Sequence, residues 1–309
     1  MSSYPFWLVN YEDRGEVDKR LLSRRPFIHT DNSLAADAER FVPGEQLEIA
    51  INTAIAVGEP LLITGEPGTG KTQTAYYLAH KLGIKPVIPF QVKSDSRAQD
   101  LLYYFDTVRY FHDAHFNKGK LPPKEDYVER RALWEAMESP YPRVLLIDEI
   151  DKAPRDFPND LLHELDAMDF TVVQTNQRVH EDKERRPIVV ITSNSERQLP
   201  DAFLRRCVYH HIRFDEAILE KAVENRRDEY GSLNPKLVRL AMQRFLALRS
   251  LNLRKAPSTV EFLVWLRLLA LVTEAAPRDL EKALNQDLSK LPYLGVLLKH
   301  SQDIEQLAK

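Results

Sequence analysis

Residues 65–72 combine glycines, a lysine and a hydroxyl side chain in the pattern G-x-x-x-x-G-K-[ST], which suits a phosphate chain. The residues that we predict to surround the phosphates are Gly65, Glu66, Pro67, Gly68, Thr69, Gly70, Lys71, Thr72 and Gln73. Glycines let successive backbone N–H groups turn inward around an anion. Lys71 would reach the β- and γ-phosphates, and the Thr72 hydroxyl would bind Mg²⁺. The stretch therefore predicts a site for ATP or ADP together with Mg²⁺.

Two adjacent carboxylates, Asp148 and Glu149, follow the apolar run at residues 144–147, as the phosphate-binding stretch follows the apolar run at residues 61–63. A buried parallel strand delivers the residues after it to the carboxyl edge of the sheet, where ligands bind. Asp148 would hold Mg²⁺ directly or through water, and Glu149 would polarise the water that attacks the γ-phosphate. The carboxylate pair therefore predicts hydrolysis of ATP in addition to its binding. A strand that merely ends in acidic residues is the alternative.

Polar and basic residues follow a third apolar strand, residues 187–192. Asn194 could reach the γ-phosphate or the attacking water, or it could be an ordinary residue of a turn. Arg205 and Arg206 could supply a guanidinium to the γ-phosphate of a neighbouring subunit, because the guanidinium fork matches phosphate oxygens. A cluster of surface charge is the alternative interpretation of the arginine pair.

Two domains after an N-terminal extension would carry these residues. Residues 41–213 alternate apolar strands and helices, which predicts an α/β domain with a central parallel sheet. We expect the strands that contain Leu61, Asp148 and Ile191 to lie side by side in it. Residues 214–309 lack strand signals and predict a helical domain. Residues 1–40 form an extension of unclear role.

Three local predictions concern segments away from the phosphate-binding stretch. Residues 127–137 read as a helix, and the segment that starts at residue 170 reads as a β-hairpin with a charged arm. Ser258, with Glu261 three residues later, resembles a capping box at the start of a helix.

The composition excludes several classes of protein. The chain has 309 residues, of which 43% are hydrophobic and 29% charged, as in ordinary globular proteins. The net charge of −3 gives no overall attraction to nucleic acid or to an anionic membrane. No uncharged apolar run is long enough to span a membrane, the first residues lack a signal-peptide pattern, and one cysteine cannot form an intrachain disulfide. We expect a cytoplasmic protein without membrane insertion.

The ordered set of motifs resembles that of the AAA+ ATPases, and more narrowly that of the MoxR family. The matching segments are residues 65–72, 146–152, 191–194 and 199–206, with further similarity at residues 41–45 and 255–259. The resemblance covers residues 41–275 and implies a three-layer αβα P-loop core followed by a helical lid. It also implies a homo-oligomeric ring, expected to be a hexamer. Residues 93–110 match the region of the helix-2 insert, and residues 169–187 match the hairpin before sensor 1.

The resemblance also implies roles for single residues. Asp148 and Glu149 match Walker B, and Asn194 matches sensor 1. Arg206, or else Arg205, matches the arginine finger. The alternatives for sensor 2 are Lys255 and Arg254. MoxR proteins are chaperone-like ATPases that mature metalloenzymes or remodel complexes with von Willebrand factor A proteins, so a protein client and such a partner are expected.

Two other functions remain open at this stage. A nucleic-acid motor or restriction-type NTPase shares these motifs, but the net charge and the lack of a recognisable DNA-binding module argue against it. A nucleotide-gated switch that hardly hydrolyses ATP is the other, and the intact Glu149 and Asn194 argue against that. Stimulation of hydrolysis by DNA or RNA would distinguish the motor from a protein-remodelling ATPase.

Overall fold

The structure, a computed structural model, describes residues 31–116, 121–194, 196–275 and 280–307. Most of the N-terminal extension, residues 1–30, lies outside the described residues. The chain divides into two compact units: the first comprises residues 37–213, and the second groups residues 31–36 with residues 214–307. Within the described residues, no helix has both the length and the apolarity that crossing a bilayer requires.

The described residues contain strands and helices in the following order. The strands are β1 (Leu61–Gly65), β2 (Ile88–Gln91), β3 (Tyr103–Phe105), β4 (Val128–Arg130), β5 (Val144–Asp148), β6 (Asp169–Val172), β7 (Gln177–His180), β8 (Ile188–Ser193) and β9 (Val208–Ile212). The α-helices are α1 (Asp31–Asp37), α2 (Glu45–Val57), α3 (Lys71–Leu82), α4 (Gln99–Leu102), α5 (Thr107–Phe116), α6 (Ala132–Glu138), α7 (Phe157–Asp160), α8 (Leu162–Ala167), α9 (Asp201–Leu204), α10 (Glu216–Glu224), α11 (Pro235–Arg249), α12 (Thr259–Ala275), α13 (Leu280–Leu284) and α14 (Ser301–Leu307).

A five-stranded parallel sheet forms the centre of the first unit, in the order β2-β5-β8-β1-β9. In β8, Val190 pairs with Leu61 of β1 on one side and with Leu146 of β5 on the other. The three strands that precede the predicted site residues are therefore adjacent. With helices flanking this sheet, the predicted three-layer αβα P-loop fold with a helical C-terminal region is confirmed.

The three central strands of the sheet, β5, β8 and β1, are buried along almost their whole length. Every residue of β1 is buried, and so are the first four residues of β5. Parallel strands covered by helices on both sides need such continuous apolar runs. The surrounding core includes the large side chains of Trp134, Phe157 and Phe203. The strand ends are consequently held in place by the main apolar core of the unit.

Residues 127–137 differ from the sequence prediction. The segment begins with strand β4, which pairs antiparallel with β3 so that Tyr103 faces Arg130, and the helix starts only at Ala132. The partner strand is distant in sequence, so local periodicity carried no signal of it. The predicted hairpin is confirmed, with β6 and β7 paired from Asp169 and His180 to Val172 and Gln177. Its charged residues, 183–185, do not form the tip but a 3₁₀ turn after β7.

The second unit is helical among its described residues. Asn234 begins α11 by accepting a hydrogen bond from the backbone N–H of Leu237, and Pro235 occupies the first turn. The capping box at α12 is confirmed: the Ser258 backbone N–H donates to Glu261 Oε2 at 2.7 Å. Phe245, Phe262 and Trp265 lie in the apolar core of the unit.

Candidate active site

The phosphate-binding loop connects β1 to α3, and two of its three positive-φ glycines also have no space for a side chain. Gly65 has φ +152°, and a Cβ there would lie 2.8 Å from the carbonyl oxygen of Ile212. Gly70 has φ +93°, and a Cβ there would lie 2.6 Å from Cε2 of Phe41. Both backbone conformation and space therefore exclude larger residues. Pro67, Gly68 and Thr69 lie between the two glycines, and Gln73 lies in the first turn of α3.

Lys71 is buried at the start of α3 and faces the loop. Its Nζ donates to the carbonyl oxygens of Gly65 at 2.9 Å and of Glu66 at 3.0 Å. Burial lowers the pKa of Lys71, and nearby carboxylates oppose this lowering. The carboxylates are those of Asp148, Asp151, Glu149 and Glu66. A buried cation at the mouth of a glycine-containing loop is suited to an anionic ligand.

The two predicted Mg²⁺ ligands are neighbours. Thr72 Oγ1 donates to Asp148 Oδ1 at 2.9 Å, and Thr192 Oγ1 donates to the same oxygen at 2.5 Å. Hydroxyl and carboxylate oxygens are the ligands that Mg²⁺ prefers, and the ion commonly takes its other ligands from phosphates and water. Thr72 and Asp148 therefore fit a Mg²⁺ site beside the phosphate-binding loop.

Glu149 occupies the centre of a polar network. Its Oε1 accepts a hydrogen bond from Asn194 Nδ2 at 3.2 Å, and its Oε2 accepts one from Gln91 Nε2 at 2.9 Å. Lys152 forms an ion pair with the same carboxylate, and this hydrogen bond is the main cause that raises the pKa of Lys152. The backbone N–H of Glu149 donates to Thr192 Oγ1 at 2.9 Å. The structure thus brings together Glu149 and Asn194, as their strand positions imply.

The sequence prediction missed four residues of this network: Gln91, Asp151, Lys152 and Thr192. Gln91 ends strand β2, so the signal that singled out Asn194, a polar residue at the end of an apolar strand, could also have found Gln91. Asp151 is 2% exposed and accepts hydrogen bonds from backbone N–H groups after β8. No sequence pattern announces such a side-chain-to-backbone contact.

The arginine pair lies in the turn after α9 and has local contacts. Arg206 forms an ion pair with Asp166 and donates to the carbonyl oxygen of Ala202 at 3.0 Å. Arg205 is exposed. In the single chain, the contacts of Arg206 are thus with α8 and α9.

The two candidates for sensor 2 lie in the second unit. The backbone N–H groups of Arg254 and Lys255 donate to the carboxylate of Asp303 at 2.8 and 3.3 Å. Arg254 Nη1 donates to Gln302 Oε1 at 3.1 Å, and Lys255 Nζ lies 3.9 Å from Glu261 Oε1. Helices α12 and α14 therefore hold this loop.

Comparison with known proteins gives one family match. The model of the AAA domain, dynein-related subfamily, matches residues 60–207. No curated protein matches the chain. A crystal structure of a candidate ATPase from Cytophaga hutchinsonii ATCC 33406 is similar at 16% identity over 90% of this chain and 92% of that chain, with a TM-score of 0.39. NtrX from Brucella abortus in complex with ADP is similar at 16% identity over 82% of this chain and 53% of that chain, with a TM-score of 0.48.

The matched range contains the phosphate-binding loop and the Glu149 network. It runs from the residue before β1 to the residue before β9 and includes Lys71, Asp148, Glu149 and Asn194. The family match and the geometry agree: residues 60–207 match an AAA domain, and the site within them is that of an ATPase.

Proposed function

We propose that the chain is a MoxR-like AAA+ ATPase that uses ATP hydrolysis to remodel or mature a protein complex. The proposal includes a homo-oligomeric ring, expected to be a hexamer, a partner with a von Willebrand factor A domain, and a cytoplasmic location. The observation that carries hydrolysis is the contact of Asn194 Nδ2 with Glu149 Oε1 next to the Thr72–Asp148 pair. The order of motifs in the sequence supports the MoxR part.

Each residue of the network has a distinct task in this mechanism. The loop N–H groups and Lys71 bind the β- and γ-phosphates. Thr72 and Asp148 would hold Mg²⁺, which, when bound, neutralises charge on the phosphate oxygens. Glu149 orients the attacking water and accepts its proton, while Asn194 orients Glu149. The water oxygen forms a bond to the γ-phosphorus, the bond to the bridging oxygen breaks, and ADP and phosphate leave.

The Glu149 carboxylate keeps room for a water molecule. Asn194 donates to Oε1, and Gln91 and Lys152 contact Oε2. Each carboxylate oxygen has two lone pairs, and the Glu149 side chain is 28% exposed, so Oε1 can accept a further hydrogen bond from the attacking water.

Replacement of Glu149 by Gln tests the mechanism. Glu149→Gln should bind ATP almost normally and hydrolyse it about 10²- to 10⁴-fold more slowly, because it loses the general base. Titration calorimetry and a phosphate-release assay measure the two effects. Lys71→Ala is the matched variant for binding and should weaken ATP affinity. Hydrolysis at the normal rate by Glu149→Gln would remove Glu149 from the role of base.

The same variant can identify the client and the partner. Glu149→Gln protein held with ATP should retain its bound proteins, and recovery of a von Willebrand factor A protein would support the MoxR-like function. A variant that also carries Lys71→Ala is the control that should not retain them. Strong stimulation of the unmodified protein by DNA or RNA, with steep salt dependence, would favour a nucleic-acid motor instead.

A further inference from the structure

We propose that Asp151 is a positioning residue for ATP hydrolysis: its buried carboxylate fixes the segment after β8 so that Asn194 meets Glu149. This inference rests on the proposed hydrolysis mechanism and assigns it a further residue. Asp151 would not contact ATP or the attacking water. It would act through Asn194, which lies within 3.2 Å of the Glu149 carboxylate.

Asp151 accepts hydrogen bonds from the backbone N–H groups of one segment. Asp151 lies in the single 3₁₀ turn that follows Glu149 and is 2% exposed. Its Oδ1 and Oδ2 each accept a hydrogen bond from the backbone N–H of Asn194 at 3.1 Å. Its Oδ2 also accepts one from the backbone N–H of Glu196 at 2.9 Å. One side chain therefore fixes the backbone on either side of residue 195.

This connection begins beyond the pairing of β5 with β8. That pairing ends at Ile147 and Ile191, although β8 remains paired with β1 as far as Ser193. Arg197 adds a second connection, because its Nη1 donates to the carbonyl oxygen of Ala153 at 2.9 Å. Thr192 in β8 also contacts Asp148 and the backbone N–H of Glu149, and Asp151 and Arg197 extend these connections beyond Ser193. The Asp151 carboxylate thus replaces the backbone pairing that the sheet no longer provides.

The geometry favours a carboxylate at this position. A buried carboxylate is costly unless hydrogen bonds satisfy it, and here both oxygens accept N–H groups. An amide has one accepting oxygen, so Asp151→Asn would place an NH₂ group against the N–H of Asn194 or Glu196. The substitution keeps the volume of the side chain and removes part of its hold on the backbone.

A purely structural role is the competing explanation. In that case Asp151→Asn would lower the stability of the whole unit, and its effect on hydrolysis would add to that of any other substitution. A positioning role predicts a different pattern. The substitution should lower kcat, leave the affinity for ATP nearly unchanged, and have little further effect once Asn194 has lost its amide.

A double-mutant cycle distinguishes the two explanations. We expect Asp151→Asn to lower kcat about ten- to a hundredfold, since small misplacements of catalytic groups can cost about 10²-fold. In an Asn194→Ala background, the same change should lower kcat little further. Asp215→Asn controls for the loss of one carboxylate charge: Asp215 is exposed, lies outside the site, and accepts the backbone N–H groups of Ala217 and Ile218 through Oδ1 alone. It should leave kcat unchanged.

Hydrogen–deuterium exchange gives a readout that does not depend on activity. In the nucleotide-free protein, the peptide amides of residues 194 and 196 should exchange faster in Asp151→Asn than in the unmodified chain. If Asp151→Asn does not fold, Arg197→Met replaces it in the cycle, because Arg197 is exposed and forms the second connection. Arg197→Met should also lower kcat, and it should lower kcat less in the Asn194→Ala background than in the otherwise unmodified protein.

Additive effects of Asp151→Asn and Asn194→Ala, or unchanged exchange at residues 194 and 196, would overturn the role of Asp151. Additivity of Arg197→Met with Asn194→Ala would do the same if Asp151→Asn does not fold. Failure of the proposed function appears elsewhere, as absence of ATP hydrolysis by the unmodified protein or as normal hydrolysis by Glu149→Gln. The two failures are therefore distinguishable.

Discussion

Two buried aspartates hold two loops that carry predicted ATP-site residues, one in each unit. Asp151 and Asp303 are each 2% exposed, and each accepts backbone N–H groups of a distant loop. Asp151 holds Asn194, whereas Asp303 holds Arg254 and Lys255. The backbones of the two loops are therefore fixed in the same way. Their functional side chains are not.

At the sheet edge the side chain continues into the network. Asn194 is short, follows directly on β8, and reaches Glu149 at 3.2 Å. In the second unit, Arg254 contacts Gln302, and the Lys255 side chain is 36% exposed. The end of a strand fixes the position of a short side chain. A loop between helices fixes its own backbone, but the end of a long side chain on that loop keeps its conformational freedom. The conformational freedom of a side chain, more than its residue type, therefore decides whether the sequence can assign it to the site.

Arg206→Ala is the strongest test of this difference between the two regions. Arg206 has a long, exposed side chain, and the variant would show that such a side chain is essential for ATP hydrolysis. Arg206 forms its ion pair with Asp166 at the surface, and such pairs contribute little to stability. We expect the variant to bind ATP almost normally and to hydrolyse it at least about a hundredfold more slowly, since arginine fingers contribute roughly 10³ to 10⁵ in rate. Steady-state turnover and nucleotide titration measure the two effects.

An arginine finger that comes from a neighbouring subunit predicts two further results. Specific activity should rise with protein concentration, and mixing Arg206→Ala with Lys71→Ala should recover some activity, because mixed assemblies contain intact interfaces. Arg205→Ala is the matched control for loss of one surface arginine and should have a smaller effect. Full activity in a strictly monomeric preparation would refute the trans-acting finger and leave the pair as surface charge.

Gly70→Ala tests the rigid region, here the phosphate-binding loop, and should have an intermediate effect. The new Cβ would lie 2.6 Å from Phe41 at φ +93°, so both the ring and the backbone oppose it. Backbone strain of about 1–3 kcal/mol predicts an ATP dissociation constant raised about tenfold or more. Phe41→Ala in the same chain should remove the clash and recover only part of the affinity. Fluorescence titration with a labelled nucleotide measures the change.

Gly83→Ala is the control for that prediction. Gly83 also has a positive φ, of +68°, but a Cβ there would meet nothing within 4 Å. It should lower the Tm without changing ATP affinity. Equal losses of affinity in Gly70→Ala and Gly83→Ala would show that the phosphate-binding loop has no special conformational requirement.

The contrast also explains how much the sequence could predict. Three apolar runs followed by polar residues sufficed to place β1, β5 and β8 side by side and to bring Asp148, Glu149 and Asn194 to one edge. Asp151 escaped prediction because its partners are backbone N–H groups, and every residue but proline has one. Strand β4 escaped because its pairing with β3 depends on residues distant in sequence. Local patterns thus predict strand ends well and contacts between turns poorly.

The smallest expected effect on ATP affinity comes from substitution of Lys255 or Arg254, the two candidates for sensor 2. Lys255 Nζ lies 3.9 Å from Glu261 Oε1, a loose pair, whereas Arg254 Nη1 donates to Gln302 Oε1 at 3.1 Å. The Lys255 ammonium can therefore leave its partner at little cost, and the Arg254 guanidinium must first break a hydrogen bond.

We expect Lys255→Met to raise the dissociation constant of ATP about three- to fivefold, because an exposed charge pair contributes at most about 1 kcal/mol. Arg254→Met, the matched loss of one cation from the same loop, should change it less than about twofold. Titration calorimetry at low and high salt would measure both, and the effect of Lys255→Met should shrink as salt screens the charge. The reverse order, with Arg254→Met the more damaging, would assign the role to Arg254 and show that its contact with Gln302 opens when ATP binds.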